Sequence, residues 1–304
     1  MSFTVSHYQS SQKFNLVLTL GFFLVGIIAA IILGIIYSVI SYYSPIILLN
    51  IVIVVGLGLA LGIITTQFAK LAKVRNTVVK FVMGFFFCLF AYYSSVCAFE
   101  ISLLSGDPLD YVELFLSPFS VFDIMFNVIL PNREIAITKG STTSNISCFV
   151  LAILYFIEFL LFFCPLIVVL KIDDYYCEDC QVWYQKYRFF SSSIQNLESN
   201  ITNNITGSYA DVLSQLTFFS AKKGFASQVD QSADSLDILV HHYSKCPKCQ
   251  QKSILSIYKN LLEKGKKGQE FKLFRKGILV ENAYIDNKTD ALFVQQIAAY
   301  YQSK

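Results

Sequence analysis

Two short patterns in this chain bring together residues that could do chemistry. Cys177-Glu178-Asp179-Cys180 and Cys246-Pro247-Lys248-Cys249 each hold two thiols three positions apart. Two such pairs in one segment read as four thiolates for one tetrahedral zinc ion. The rival chemistry is two separate redox pairs, each cycling between dithiol and disulfide. A third feature is Glu158, near the middle of an apolar run that includes Phe156, Leu160 and Phe163. A carboxylate at the centre of a membrane span costs on the order of 3 kcal/mol, so it should face a bundle interior, either protonated or bonded to a Tyr, Ser or Asn side chain. It reads as a hydrogen-bonded structural acid, with a proton or cation relay as the sharper alternative. Asn50 and Glu100 are the other polar residues near the ends of such runs. Asn50 calls for a partner on a neighbouring helix, and Glu100 is expected to reach headgroups or water. The chain shows no Walker loop, HExxH motif or nucleophile elbow and only three histidines, so no enzyme activity is expected.

The elements that must position these groups follow from hydropathy. Mean hydropathy is +0.54, and charged residues are 15% of the chain. Four apolar runs, about 14–37, 46–69, 78–104 and 148–170, each exceed the roughly 20 helical residues that cross a hydrocarbon core. The first run is about twice as long as a signal-peptide apolar region and is read as a retained helix. The expected fold is an α-helical membrane protein, a four-transmembrane-helix bundle (1–171) followed by a cytoplasmic α+β domain (172–304).

Charge in the loops sets the expected topology. Lys70, Lys73, Arg75 and Lys80 cluster at the turn between the second and third helices, Lys80 in the first turn of the third run, with no acid. The segment 105–147 carries Asp107, Asp110, Glu113, Asp123 and Glu134 against Arg133 and Lys139. The positive-inside rule then puts both termini in the cytoplasm of a plasma or inner membrane. Cytosolic thiols stay reduced, which favours metal over disulfides. Asn145, Asn200 and Asn204 begin glycosylation-acceptor triplets, and sugar on either of the last two would overturn that topology.

Small residues mark packing seams: Gly26, Ala30 and Gly34 in the first helix, and Gly56, Gly58, Ala60 and Gly62 in the second. They are read as a seam between those two helices rather than a pore lining. An outer amphipathic helix is expected over about 118–130. Ser117 serves as its N-cap, Pro118 takes the first position, and Pro131 ends it. Phe119, Phe122, Phe126 and Ile129 would share its apolar face, with Ser120, Asp123 and Asn127 opposite. It is read as lying in the interface, with a re-entrant segment as the alternative.

In the C-terminal third, strands are expected at about 237–243, 253–258 and 270–280, and helices at about 209–219 and 289–301. Strand, C-x-x-C, strand, with a distant second C-x-x-C, resembles a zinc ribbon, and the resemblance covers only the two pairs and their flanking strands. It implies Cys177, Cys180, Cys246 and Cys249 as ligands of a structural zinc, with a long insertion between the pairs. His241 and His242 are read as ordinary strand residues. Lys245, Lys248, Lys252, Lys259, Lys264, Lys266, Lys267, Lys272, Arg275 and Lys276 face only Glu263 and Glu270 over the same stretch. This basic surface suits solvent or the inner leaflet first, a protein partner or a second copy next, and nucleic acid least. The expected function is a membrane scaffold or assembly subunit that presents a zinc-stabilised domain. A channel or transporter subunit using Glu158, or a thiol redox protein, are the alternatives.

Overall fold

The computed structural model describes residues 6–43, 47–132, 136–139, 142–145, 148–170, 174–192, 195–204, 208–219, 235–264 and 271–302. The chain divides into two units: Ser11–Asp173, and Met1–Ser10 together with Asp174–Lys304. Of the described residues, 6–10 group with the C-terminal unit.

The helical unit is built on α1 (Leu16–Tyr43), α2 (Ile47–Leu71), α3 (Thr77–Leu104) and α7 (Cys148–Leu170). α7, the shortest at 23 residues, is about 34 Å long at 1.5 Å per residue. α1, α2 and α3 are each long and apolar enough to cross a membrane. Asn76 starts α3 by accepting the Val78 and Val79 backbone N–H groups at 2.8 and 3.1 Å. Ser105 ends it in the left-handed conformation, φ 54°. The outward faces are apolar, with Val17, Leu24, Ile28 and Ile32 of α1 all exposed.

The glycine stripe of α1 faces α3, not α2 as expected from sequence. A Cβ on Gly34 would lie 2.2 Å from the Ala91 carbonyl oxygen, and one on Gly26 would lie 2.0 Å from the Phe87 ring. The close approach is used: the Ser94 hydroxyl of α3 donates to the Ile31 carbonyl at 2.8 Å. A Cβ on Gly56 of α2 would meet nothing within 4 Å, so packing does not demand a glycine there.

Between α3 and α7 the chain forms α4 (Pro108–Leu116), which the sequence did not announce, and α5 (Pro118–Asp123). α5 continues through a π-helical stretch, Ile124–Ile129, into α6 (Leu130–Asn132). The two arms meet at a bend of 103° at Ser117. α4 is set by Asp107, whose backbone N–H donates to the Asp110 carboxylate at 2.7 Å, with Pro108 at the first position. Phe119, Phe122 and Phe126 are exposed as one apolar face, but Ile129 is buried. The π-helical stretch turns more residues per turn than an α-helix and rotates Ile129 away from that face. β1 (Ala136–Lys139) and β2 (Thr142–Asn145) form a hairpin before α7.

The other unit is an antiparallel sheet with small helices. A short hairpin, β3 (Tyr176–Cys177) and β4 (Val182–Trp183), leads into β5 (Gln185–Ser192). Then come α8 (Gln195–Thr202), α9 (Ala210–Leu213) and β6 (Phe218–Phe219). The long strands β7 (Ser235–Lys245), β8 (Ser253–Lys264) and β9 (Phe271–Tyr284) are followed by α10 (Asn287–Gln302). The sheet order is β6-β5-β7-β8-β9. The helix expected over 209–219 is only the single turn α9, because Phe218 and Phe219 pair with Ser191 and Phe190 of β5 instead.

Strand alternation divides the core. Phe189, Leu239, Tyr243, Leu255 and Ile257 pack with Leu213 and with Phe293 of α10, while Phe190, Ile238, Val240 and Leu262 form a cluster on the opposite face. α10 is fastened by Asp290, which pairs with Lys245 at 2.7 Å and accepts the Tyr243 and Ser253 hydroxyls. Burial alone would raise the Asp290 pKa, but the Lys245 ammonium and the two hydroxyls hold it below the ordinary carboxylate value.

Candidate metal centre

Each C-x-x-C pair is the tip of a hairpin. Cys177 ends β3, and the turn through Cys180 returns the chain to β4. Cys246 follows β7, and the turn through Cys249 leads to β8. The two turns are built alike. Gln181 and Gln250, each directly after the second cysteine, adopt left-handed conformations with φ 54° and 55°. The Gln250 backbone N–H closes its turn on the Cys246 carbonyl at 3.2 Å. β5 follows the first hairpin and pairs with β7, Gln185 opposite Lys245. That register brings the two tips to the same end of the sheet.

The result is a four-thiol cluster. The Sγ atoms of Cys177, Cys180, Cys246 and Cys249 all lie within 4.8 Å of one another and could hold a metal ion. Cys177 and Cys249, from different hairpins, have sulfurs 3.9 Å apart, nearly twice the roughly 2.05 Å of a disulfide bond. Cys177 and Cys246 are buried, and Cys180 and Cys249 are half-buried. Burial pushes the Cys177 thiol up, whereas the Gln251 backbone N–H pulls Cys249 down to about 7. A hydrogen bond to sulfur favours thiolate, the form that ligates metal.

Tyrosines wall the cluster. Tyr175, Tyr184 and Ile254 pack with the cysteines, and Tyr8 and Tyr284 join from the N-terminal segment and the end of β9. The Tyr8 hydroxyl accepts the Tyr176 backbone N–H at 3.0 Å, next to the first ligand, and the Tyr8 and Tyr175 ring centroids are 5.0 Å apart. Tyr8 is held because residues 6–8 run along the outer edge of β9. The Tyr8 N–H donates to the Asn282 carbonyl at 2.7 Å, and the Tyr284 N–H to the Ser6 carbonyl at 2.9 Å. Nothing in the sequence marks this pairing, since its two partners are nearly the whole chain apart.

No known relative emerges. Comparison with protein families, characterised proteins and solved structures finds no match. What the centre can do must therefore be read from its own geometry.

The other sequence-selected residues fall as follows. His241 is buried in the sheet, its Nε2 2.8 Å from the Ser191 hydroxyl, and it is not part of the cysteine cluster. Burial, then the neighbouring His242, pushes its pKa down to about 3, so it is neutral. Glu158 Oε1 accepts the Tyr37 hydroxyl at 2.6 Å, joining α7 to α1. Glu100, expected to reach headgroups or water, is instead fully buried, and neither carboxylate oxygen has a partner among the described residues. The Asn50 amide oxygen is likewise buried without one.

The basic stretch is partly neutralised by acids that sequence order does not bring near. Lys245 pairs with Asp290, Lys252 with Asp179 at 2.9 Å, Lys259 with Glu198 at 2.8 Å, and Lys276 with Asp237 at 2.9 Å. The Arg275 guanidinium lies 4.0 Å from the Tyr258 ring centroid. Lys248 and Lys272 are exposed. Lys266, Lys267 and the side chain of Lys264 lie outside the described residues.

Proposed function

We propose that this protein is an integral membrane scaffold or assembly subunit whose C-terminal unit is held together by one structural zinc ion. The observation that carries the reading is the four-sulfur cluster formed by two hairpin tips. A Zn–S distance of about 2.3 Å in a tetrahedron separates sulfurs by about 3.8 Å. The 3.9 Å between Cys177 and Cys249 already matches that spacing. Four thiolates close the shell and leave no position for a reactive water, which supports structure rather than catalysis. A redox role is less well supported, because an ion would hold all four sulfurs and leave neither pair free to cycle.

Two observations support the membrane topology. The apolar outward faces of the long helices suit lipid better than water. The pairing of residues 6–8 with β9 requires the chain before α1 and the domain after α7 to lie on one side of any bilayer. That demands an even number of crossings. α1, α2, α3 and α7 would supply four, which favours a bent α4–α5 arm that stays on one side. The bases Lys70, Lys73, Arg75 and Lys80 at the junction of α2 and α3 support a cytoplasmic position for the shared side. Bound there, the domain is offered to protein partners or to the inner leaflet.

The topology is tested with a cysteine introduced at Ser6 or at Ser303, one at a time, in a background lacking Cys148 and Cys164, and only the labelling gained over that background is scored. In sealed vesicles, both should react with an impermeant maleimide from the same face; reaction from opposite faces contradicts the reading. The scaffold role is tested by crosslinking in intact cells. It predicts a specific partner that is lost in Cys246→Ser, and recovery of no specific partner counts against it.

A further inference from the structure

The sheet of the C-terminal unit packs one face against α10 and carries exposed charge on the other. On that second face, strand alternation sets Arg188 of β5 directly opposite His242 of β7, one row beside the buried Phe190 and Val240. β8 and β9 continue the inner row with Tyr258 opposite Val240 and Ile278 opposite Tyr258. The His242 and Tyr258 rings meet edge to face with centroids 5.0 Å apart, and the Arg275 guanidinium of β9 lies 4.0 Å from the same Tyr258 centroid. The Arg188 guanidinium lies 5.0 Å from the Phe190 ring centroid. Three basic side chains from three strands thus gather over one aromatic floor.

No described carboxylate balances them. Arg188, His242 and Arg275 are all exposed, and none of the three pairs with an acid among the described residues. Lys186, the next base along β5 on that face, is engaged by Asp174 at 2.8 Å. Partial burial, then the Arg188, Lys186 and Arg275 charges, hold the His242 pKa down to about 4. The imidazole therefore stays neutral beside its neighbours, whereas the two guanidiniums keep their charge. Guanidinium groups laid on aromatic rings are preorganised for paired hydrogen bonds to phosphate oxygens. Ile278, 48% exposed, adds an apolar side chain to the same face.

We propose that this face docks on the phosphate headgroups of an anionic lipid surface. The proposal rests on the reading of this chain as an integral membrane protein and deepens it by naming the contact. Arg188 and Arg275 complement the lipid charge, and a sheet surface fits an extended array of phosphates. An exposed apolar side chain among exposed bases suits the headgroup boundary, where charge and hydrocarbon meet. The unit begins at Asp174, just after α7 ends at Leu170, so the chain itself would hold it at high effective concentration near a bilayer. An acidic protein would meet the same charges without that tether.

The test is carbethoxylation of His242 by diethyl pyrocarbonate, read by peptide mass in the full-length protein in lipid nanodiscs. His7, also exposed, is the internal reference. In discs with about 30% phosphatidylserine, His242 should react at least threefold more slowly relative to His7 than in phosphatidylcholine discs. Sodium chloride at about 0.5 M should remove that protection. Arg188→Gln combined with Arg275→Gln should remove it too, whereas Lys288→Gln, at an exposed base on α10, should keep it. Inorganic phosphate or polyglutamate added to phosphatidylcholine discs should not protect. The proposal is overturned if His242 reacts equally in both discs, or if its protection survives salt or the double variant. It is also overturned if protection is lost in Lys288→Gln, or if phosphate or polyglutamate protects as well as the anionic lipid. Protein seated in the discs with His242 unprotected overturns the docking alone; protein recovered outside the discs overturns the membrane reading and this proposal with it.

Discussion

At the scale of single residues, the domain depends on polar groups whose charge state is decided by burial. His241 is the clearest case, buried and neutral with its pKa pushed down to about 3 from the ordinary 6.5. Below about pH 6.5 the unfolded chain takes up a proton that the folded chain refuses. Stability therefore falls on acidification, by up to about 1.4 kcal/mol per pH unit, until the folded group also titrates. Replacing the imidazole with an amide removes this linkage. His241→Gln should cost about 1 to 2 kcal/mol at pH 7.5 through the disturbed Ser191 bond. The gap to wild type should then shrink between pH 6.5 and 5, as read from denaturation midpoints of both proteins. A constant gap across that range would mean that His241 does not titrate in this way. Acid also protonates the cysteine thiols, but that term is common to both proteins and cancels in the difference.

At the scale of elements, close approach and edge pairing decide the architecture. α1 meets α3 through Gly26 and Gly34, and the second of these faces backbone, which cannot move aside as a side chain can. Gly34→Leu should therefore separate α1 from α3 and lower the melting temperature in detergent by several degrees, with a cost of about 2 kcal/mol or more. Gly56→Ala, over open space, should leave it unchanged and serves as the control. The N-terminal segment is the second case. Tyr8→Ala removes the acceptor of the Tyr176 N–H and a ring from the wall of the cysteine cluster. The amide of Tyr284 should then exchange with solvent at least tenfold faster, because the edge of β9 loses its cover. Exchange at the wild-type rate would show that residues 6–8 are not held by Tyr8.

These elements also show which features could be read from sequence. Apolar runs of helix length and the alternation through Leu239, His241 and Tyr243 are local signals, and they announce helices and strands directly. The four cysteines were legible because C-x-x-C spacing is itself a ligand geometry. The partner of the glycine stripe was not legible, since small residues say that something packs closely without saying what. The π-helical stretch that turns Ile129 inward has no sequence signature. The pairing of Ser6–Tyr8 with β9, and of Lys259 with Glu198 and Asp237, joins residues far apart in sequence. Glu100 and Asn50 were visible as polar residues in apolar runs, but that the Glu100 carboxylate and the Asn50 amide oxygen are buried with no partner among the described residues emerged only from the packed helices.

At the scale of the whole molecule, one metal ion would tie together parts that sequence order keeps apart. Cys177 and Cys180 come from the hairpin that opens the domain, Cys246 and Cys249 from between β7 and β8, and Tyr8 carries the N-terminal segment to the same cluster. Loss of the ion would leave four thiols crowded at one end of the sheet and release both hairpin tips. Structural zinc of this kind contributes roughly 10 kcal/mol or more to folding, comparable to the whole stability of a domain. The most direct measurement is zinc per chain in detergent-purified protein, wild type beside Cys246→Ser, with hydrogen exchange over β7 and β8 as the readout of fold. The account predicts about one zinc per chain in the wild type. It also predicts loss of both the metal and β7–β8 protection in the variant. A wild-type protein free of zinc, or a metal-free variant with full protection, would contradict it.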